Sequence, residues 1–106
     1  MAAMNINKEQ FDKAMEGGNA ILVDFWAPWC SYCRRINPAY DKVAAQHGEE
    51  LQVVKVNIDE ESLLAHQENI EVIPTLVLYK GGKALGSIVA PESKAAIDAF
   101  IQQTLG

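Results

Sequence analysis

The sequence predicts an α/β fold: a mixed central β-sheet, ordered βαβ and then ββα, with helices on both faces. Three observations carry that expectation. Ile21-Leu22-Val23-Asp24-Phe25-Trp26 is a nearly continuous apolar run, as expected of a strand covered on both sides. A helical pattern from Cys30 to about His47 separates it from a second strand-like run, Leu51 to Ile58. Two parallel strands need such a crossover. Gly81-Gly82 then stands between two further β-prone runs, where an antiparallel hairpin needs only its turn.

The elements follow in order. Asn7-Lys8-Glu9-Gln10 reads as a helix start, with Asn7 as N-cap and Gln10 in the capping-box position. Phe11, Ala14 and Met15 place an apolar stripe at helical spacing, and Gly17-Gly18 ends the helix. The strand from Ile21 to Trp26 comes next, then the helix after Cys30, with Gly48 as its stop. Pro38 sits inside that helix, where it removes one backbone bond and crowds the carbonyl of Arg34, so a kink is expected. Leu51 to Ile58 is a strand and Ser62 to Asn69 a short helix. Thr75 to Tyr79 is a strand, and Lys83 to Val89 pairs back on it. Pro91 is expected to open a last helix that buries Ile97, Phe100 and Ile101.

The 106 residues suit one compact domain, 1–106, and 49% apolar content is ample for its core. A formal net charge of −5 argues against a nucleic-acid footprint, which needs a basic patch. No apolar run approaches membrane-spanning length, so no membrane partner is expected. Met1-Ala2-Ala3-Met4 shows no basic segment leading into an apolar one, so no secretory signal is visible. Two cysteines without a leader fit a reducing compartment, and a cytoplasmic protein is expected.

Those two cysteines lie in Trp29-Cys30-Ser31-Tyr32-Cys33, at the exit of the first long strand. If Cys30 starts the helix, both sulfurs fall on one face, a turn apart. A disulfide there closes a very short loop and constrains little of the unfolded chain, so it is suited to being made and broken. The helix N-terminus supplies unpaired N–H groups and a positive dipole end that favour a thiolate. The alternative is a structural or metal-bound pair. Two thiolates are too few for a tetrahedral zinc site, and no histidine is near in sequence.

The chain resembles the thioredoxin family. The residues that carry the resemblance are Val23-Asp24-Phe25-Trp26-Ala27-Pro28-Trp29-Cys30, then Cys33, Pro38, Lys55-Val56-Asn57-Ile58-Asp59 and Ile73-Pro74-Thr75. They run in the family's order and spacing. Two positions depart from its pattern. Ser31-Tyr32 replaces Gly-Pro between the cysteines, which bears on the redox potential. Ala90 stands where a glycine usually lines the substrate groove, which bears on partner range.

The resemblance implies the thioredoxin fold and a protein-disulfide reductase. Cys30, at the exposed strand-to-helix junction, is expected to be the attacking thiol, and the deeper Cys33 to resolve the mixed disulfide. Asp24, a carboxylate within an apolar strand, falls on the family's buried aspartate and is the expected proton acceptor for Cys33. An edge position facing water, or a structural pair with Lys55, is the alternative. Lys55 matches the family's lysine beside that aspartate. The resemblance also implies a cis Ile73-Pro74 bond facing the disulfide, which leaves the Ile73 backbone free to pair with a substrate strand. Trp29 and Tyr32 are expected in an apolar rim for partners, with Ala90 on the groove. Trp26 is expected in the core. Arg34 is expected to support a thiolate or an acidic partner, while Arg35, His47 and His66 read as surface residues.

The implied partners are disulfide-bearing substrate proteins and a flavoprotein thioredoxin reductase, with the chain itself monomeric and without bound cofactor or metal. Two other functions fit the same residues: an oxidase or isomerase of disulfides in an exported compartment, and a non-catalytic binding subunit built on Trp29 and Pro74. Retention of both cysteines speaks against the second.

Overall fold

The computed structural model describes residues 2–106. Its five strands are β1 (Met4–Asn5), β2 (Ala20–Trp26), β3 (Leu51–Asn57), β4 (Thr75–Lys80) and β5 (Lys83–Val89). Its helices are α1 (Lys8–Glu16), α2 (Ser31–Gln46), α3 (Ser62–Gln67) and α4 (Lys94–Leu105). The strands form one sheet in the order β1-β3-β2-β4-β5. β3 runs parallel to β1 and β2, while β4 runs antiparallel to β2 and β5. This is the mixed α/β sheet the sequence predicts.

The continuous apolar run of β2 has a direct cause. β2 lies at the centre of the sheet, and its alternate side chains enter two different cores. Leu22, with Leu76 and Leu78 of β4, packs under Ile36, Tyr40 and Val43 of α2 and Ile97 and Ile101 of α4. Ile21, Val23 and Phe25 pack on the other face with Phe11 of α1 and Leu64 of α3. Leu22, Val23 and Phe25 are fully buried. Each such side chain contributes roughly 1.5–3 kcal/mol by leaving water. Tyr40 ties α2 down by donating its hydroxyl to the carbonyls of Val54, at 2.6 Å, and Leu22, at 3.1 Å.

Local chemistry sets the ends of the elements. Asn7 caps α1 through Gln10 N–H at 2.9 Å, and Gln10 Oε1 accepts from Asn7 N–H in return. The β4–β5 turn places Gly81 at φ 60 and Gly82 at φ 79, a left-handed pair that suits a tight hairpin. α2 runs unbroken past Pro38.

Several boundaries differ from the sequence expectation. Pro91 does not open α4. Ser93 does, by accepting from Ala96 N–H at 3.1 Å, and the helix begins at Lys94. α3 ends at Gln67, and Asn69 turns the chain at φ 60 instead of continuing it. β3 stops at Asn57 and β4 runs on to Lys80. The short edge strand β1 was not expected.

Candidate active site

β2 ends at the centre of the sheet, and the chain turns there into α2. Cys30 is the N-cap of α2 and is half-buried, while Cys33 lies one turn in and is 2% exposed. The two form a disulfide with Cα atoms 5.2 Å apart. Cys30 Sγ also accepts the Cys33 N–H at 3.2 Å. A sulfur in the N-cap position therefore takes the place of the usual capping oxygen, and the positive end of the helix is aimed at it.

Below the disulfide lies the face of the sheet that α2 covers. Asp24 projects into it from β2 and is 1% exposed. Its Oδ1 is sealed from solvent with no hydrogen-bond partner. Burial pushes the carboxyl up from 3.8 to about 7, against the pull of the Lys55 charge. An edge position facing water is thereby ruled out. Lys55 is the register partner of Asp24 on β3, yet no ion pair joins them among the described residues. The Lys55 ammonium instead donates to Asn37 Oδ1 at 3.1 Å and lies 4.8 Å over the Trp26 ring. Trp26 is half-buried instead of core, and its indole N–H donates to Asn5 Oδ1 at 2.8 Å.

Three segments converge beside the disulfide. The Ile73-Pro74 bond is cis. The Pro74 carbonyl accepts the Ala90 N–H at 2.9 Å. The next carbonyl, that of Pro91, accepts the Tyr32 hydroxyl at 2.9 Å. Ala90 is held at φ 46, a left-handed conformation that a Cβ disfavours. Hydrogen bonds thus join Tyr32 to Pro91 and the adjoining Ala90 to Pro74. Ile73 is half-buried next to them.

Trp29 stands on the rim, 65% exposed, with its indole N–H on both carboxylate oxygens of Asp59 at 3.0 and 3.2 Å. Val72 is also exposed, at 54%. Arg34 donates to the Pro28 carbonyl at 2.7 Å. Arg35 is exposed, as expected, and its guanidinium sits 5.9 Å from the centre of the Tyr32 ring. A separate concavity of 620 Å³, lined by residues such as Met4, Ala14 and Gln52, contains neither cysteine. The redox site is an open surface, suited to another protein more than to an enclosed small molecule. No helix among the described residues is long and apolar enough to cross a membrane.

Sequence reasoning missed Asn37, Pro91, Asp59 and Asn5. One signal for Asn37 was available: it follows Cys33 by four residues, which puts both on one helix face.

A disulfide of two residues on one helical turn, one half-buried and one buried, beside a sheet face that carries a buried carboxyl, defines a thiol–disulfide oxidoreductase. Comparison with known proteins narrows the class. The thioredoxin family model matches residues 2–103. Thioredoxin from Alicyclobacillus acidocaldarius is 35% identical over 104 residues, covering 98% of this chain and 99% of its own. Thioredoxin 1 from Nostoc sp. is 36% identical over 105 residues, covering 98% of each. The crystal structure of Malassezia sympodialis thioredoxin superposes with a TM-score of 0.87 at 30% identity, covering 99% of this chain and 92% of that one. The chain belongs to the thioredoxin family.

Proposed function

We propose that this protein is a reductase of protein disulfides and that Cys30 and Cys33 divide the work. The observation that carries the reading is the Cys30–Cys33 disulfide with Cys30 at the N-cap of α2. In the reduced protein the Cys30 thiolate attacks one sulfur of a substrate disulfide. A Cys30–substrate disulfide forms, and the other substrate sulfur leaves as a thiolate. Cys33 then gives its proton to the Asp24 carboxylate and attacks Cys30 Sγ. The Cys30–Cys33 disulfide forms, and the second substrate sulfur is released. Two electrons pass from the dithiol to the substrate. The buried carboxyl is suited to the middle step, because a group poised at about 7 exchanges its proton near neutral pH.

Lys55 tempers the Asp24 charge. Trp29, Tyr32, Ile73, Pro74 and Ala90 form the docking surface, where a substrate strand pairs with the Ile73 backbone. The family implies disulfide substrates and a thioredoxin reductase in general. We assign a flavoprotein reductase, a monomeric chain and the cytoplasm, since a reductase turns over where the thiol pool is reduced.

The test is a pair of serine variants. Cys30→Ser should abolish the acceleration that the protein gives to insulin reduction by dithiothreitol. Cys33→Ser should accumulate mixed disulfides with substrate proteins. Capture by Cys30→Ser and none by Cys33→Ser would reverse the roles. Full activity in Cys30→Ser would sink the reductase reading of the pair.

A further inference from the structure

We propose that Asn37 is a positioning residue that holds the Lys55 ammonium on its side-chain carbonyl and so keeps that cation off the Asp24 carboxylate. Its meaning for turnover rests on the reading of Asp24 as the proton acceptor of Cys33. Its effect on Asp24 does not.

Asp24 and Lys55 are register partners on adjacent parallel strands, so their side chains leave the sheet on the same face. Both residues are buried, with Lys55 at 9% exposure. An ammonium and a carboxylate at close range in such surroundings attract strongly. The pair nonetheless stays apart, and Asp24 Oδ1 keeps no partner. The ammonium is satisfied elsewhere, by the neutral oxygen of Asn37 at 3.1 Å and the face of Trp26 at 4.8 Å. Trp26 is fixed in turn by its bond to Asn5. Asparagine is a poor helix former, and inside α2 its side chain is used for this one contact.

Few other charges bear on Asp24. α2, which covers this face, brings the titratable Cys33 and Tyr40, and the Tyr40 hydroxyl is taken by backbone carbonyls. Burial, then the Asp24 charge and after it that of Asp41, hold the Tyr40 hydroxyl above its ordinary range, and Asp41 itself accepts the Ala3 N–H at 3.0 Å. β4 places apolar Leu76 opposite Asp24. α4 contributes Ile97 and Ile101 to this core. Lys55 is the one cation in the set. Without Asn37 Oδ1 it is a nearly buried ammonium lacking an acceptor, and the unpartnered Asp24 carboxylate is its nearest remedy.

The experiment follows the Asp24 side-chain carboxyl by ¹³C NMR through a pH titration of the oxidised, full-length protein. Asn37→Ala should lower the Asp24 midpoint by about one pH unit or more, the effect of an opposite charge brought into contact. Asn37→Ser, a smaller change, should shift it in the same direction and covers the case in which Asn37→Ala does not fold. In a Lys55→Met background, Asn37→Ala should add no further shift. A midpoint that rises or stays within about 0.3 unit, or a full shift in the Lys55→Met background, would overturn the proposal. Asp24→Asn tests the relay separately. If it leaves the release of substrate by Cys33 unslowed while Asn37→Ala still moves the Asp24 midpoint, the relay falls and the role of Asn37 stands.

Discussion

The Tyr32 hydroxyl donates to the Pro91 carbonyl at 2.9 Å, and this bond joins the first turn of α2 to the segment between β5 and α4. The tie links the two places where the chain departs from its family's pattern, since Ala90 adjoins Pro91. Pro91 has no N–H to offer a partner, and its carbonyl is occupied. The Ala90 N–H is spent on Pro74. The Ala90 N–H and the Pro91 carbonyl are therefore both engaged within the chain, and on the proposed docking surface pairing with a substrate strand would fall to Ile73.

Tyr32→Phe removes the hydroxyl and little else. The buried Pro91 carbonyl loses its donor, so stability should fall by about 1 kcal/mol. Amide exchange at Ala90 should quicken as the segment loosens. Thermal unfolding and hydrogen exchange check both, and no change in either would show that the tie contributes nothing.

Tyr32→Pro tests the redox poise. Tyr32 keeps its N–H in the first turn of α2, the turn that Cys30 caps. Proline deletes that donor. The thiolate loses support, so the reduced form is less favoured and the couple becomes more reducing. A fall of about 30 mV, or about 1.4 kcal/mol for two electrons, is the expected scale. Equilibration with glutathione measures it, and a potential that rises or stays level refutes the idea.

Asp24→Asn should exchange function for stability. The folded carboxyl is raised from 3.8 to about 7, so the native state holds the proton more tightly than the unfolded chain. The resulting stability is fully present below about pH 3.8. It is lost as pH rises through about 7. The substitution should thus change little near pH 3.5 and stabilise above neutrality, on the order of 3 kcal/mol. It should also slow substrate release by Cys33. Melting curves across pH decide the first point. A less stable variant at pH 8 would mark Asp24 as a satisfied structural partner.

Ala90→Gly relieves a left-handed alanine. The conformation at φ 46 costs roughly 1–2 kcal/mol with a Cβ, and glycine loses roughly 0.4–1 kcal/mol through unfolded-state entropy. A net gain of about 0.5–1 kcal/mol is expected, read as a higher melting temperature. A lower one would show that the methyl packs usefully against its surroundings.

Much of this was legible in the chain because the signals are local. The apolar run of β2, the Asn7–Gln10 box, the glycine pair at the hairpin and the cysteine spacing each lie within one short window. The carboxylate of Asp24 stood out against its apolar neighbours. What escaped depends on partners distant in sequence. Pro91 looked like a helix opener because proline suits a first turn, but Ser93 offers a better cap and Tyr32, 59 residues away, holds the Pro91 carbonyl. Asn37 went unread because the group it holds, the Lys55 ammonium, lies 18 residues further on. Arg34 lies beside a cysteine in sequence, but the helix carries its guanidinium to Pro28. β1 is two residues long and exists only through β3.

β2 sends Leu22, Asp24 and Trp26 to one side of the sheet and Ile21, Val23 and Phe25 to the other. The sheet therefore works as a partition between two packing layers. Substitution among Phe11, Leu64 and Val77 should change how firmly the back layer is packed and leave the surroundings of Asp24 and Cys33 little altered. The front layer enjoys no such freedom, because a repacked Ile36 or Leu76 moves the surroundings of a charge. Homologues should accordingly tolerate substitution in pairs behind the sheet and resist even single ones ahead of it.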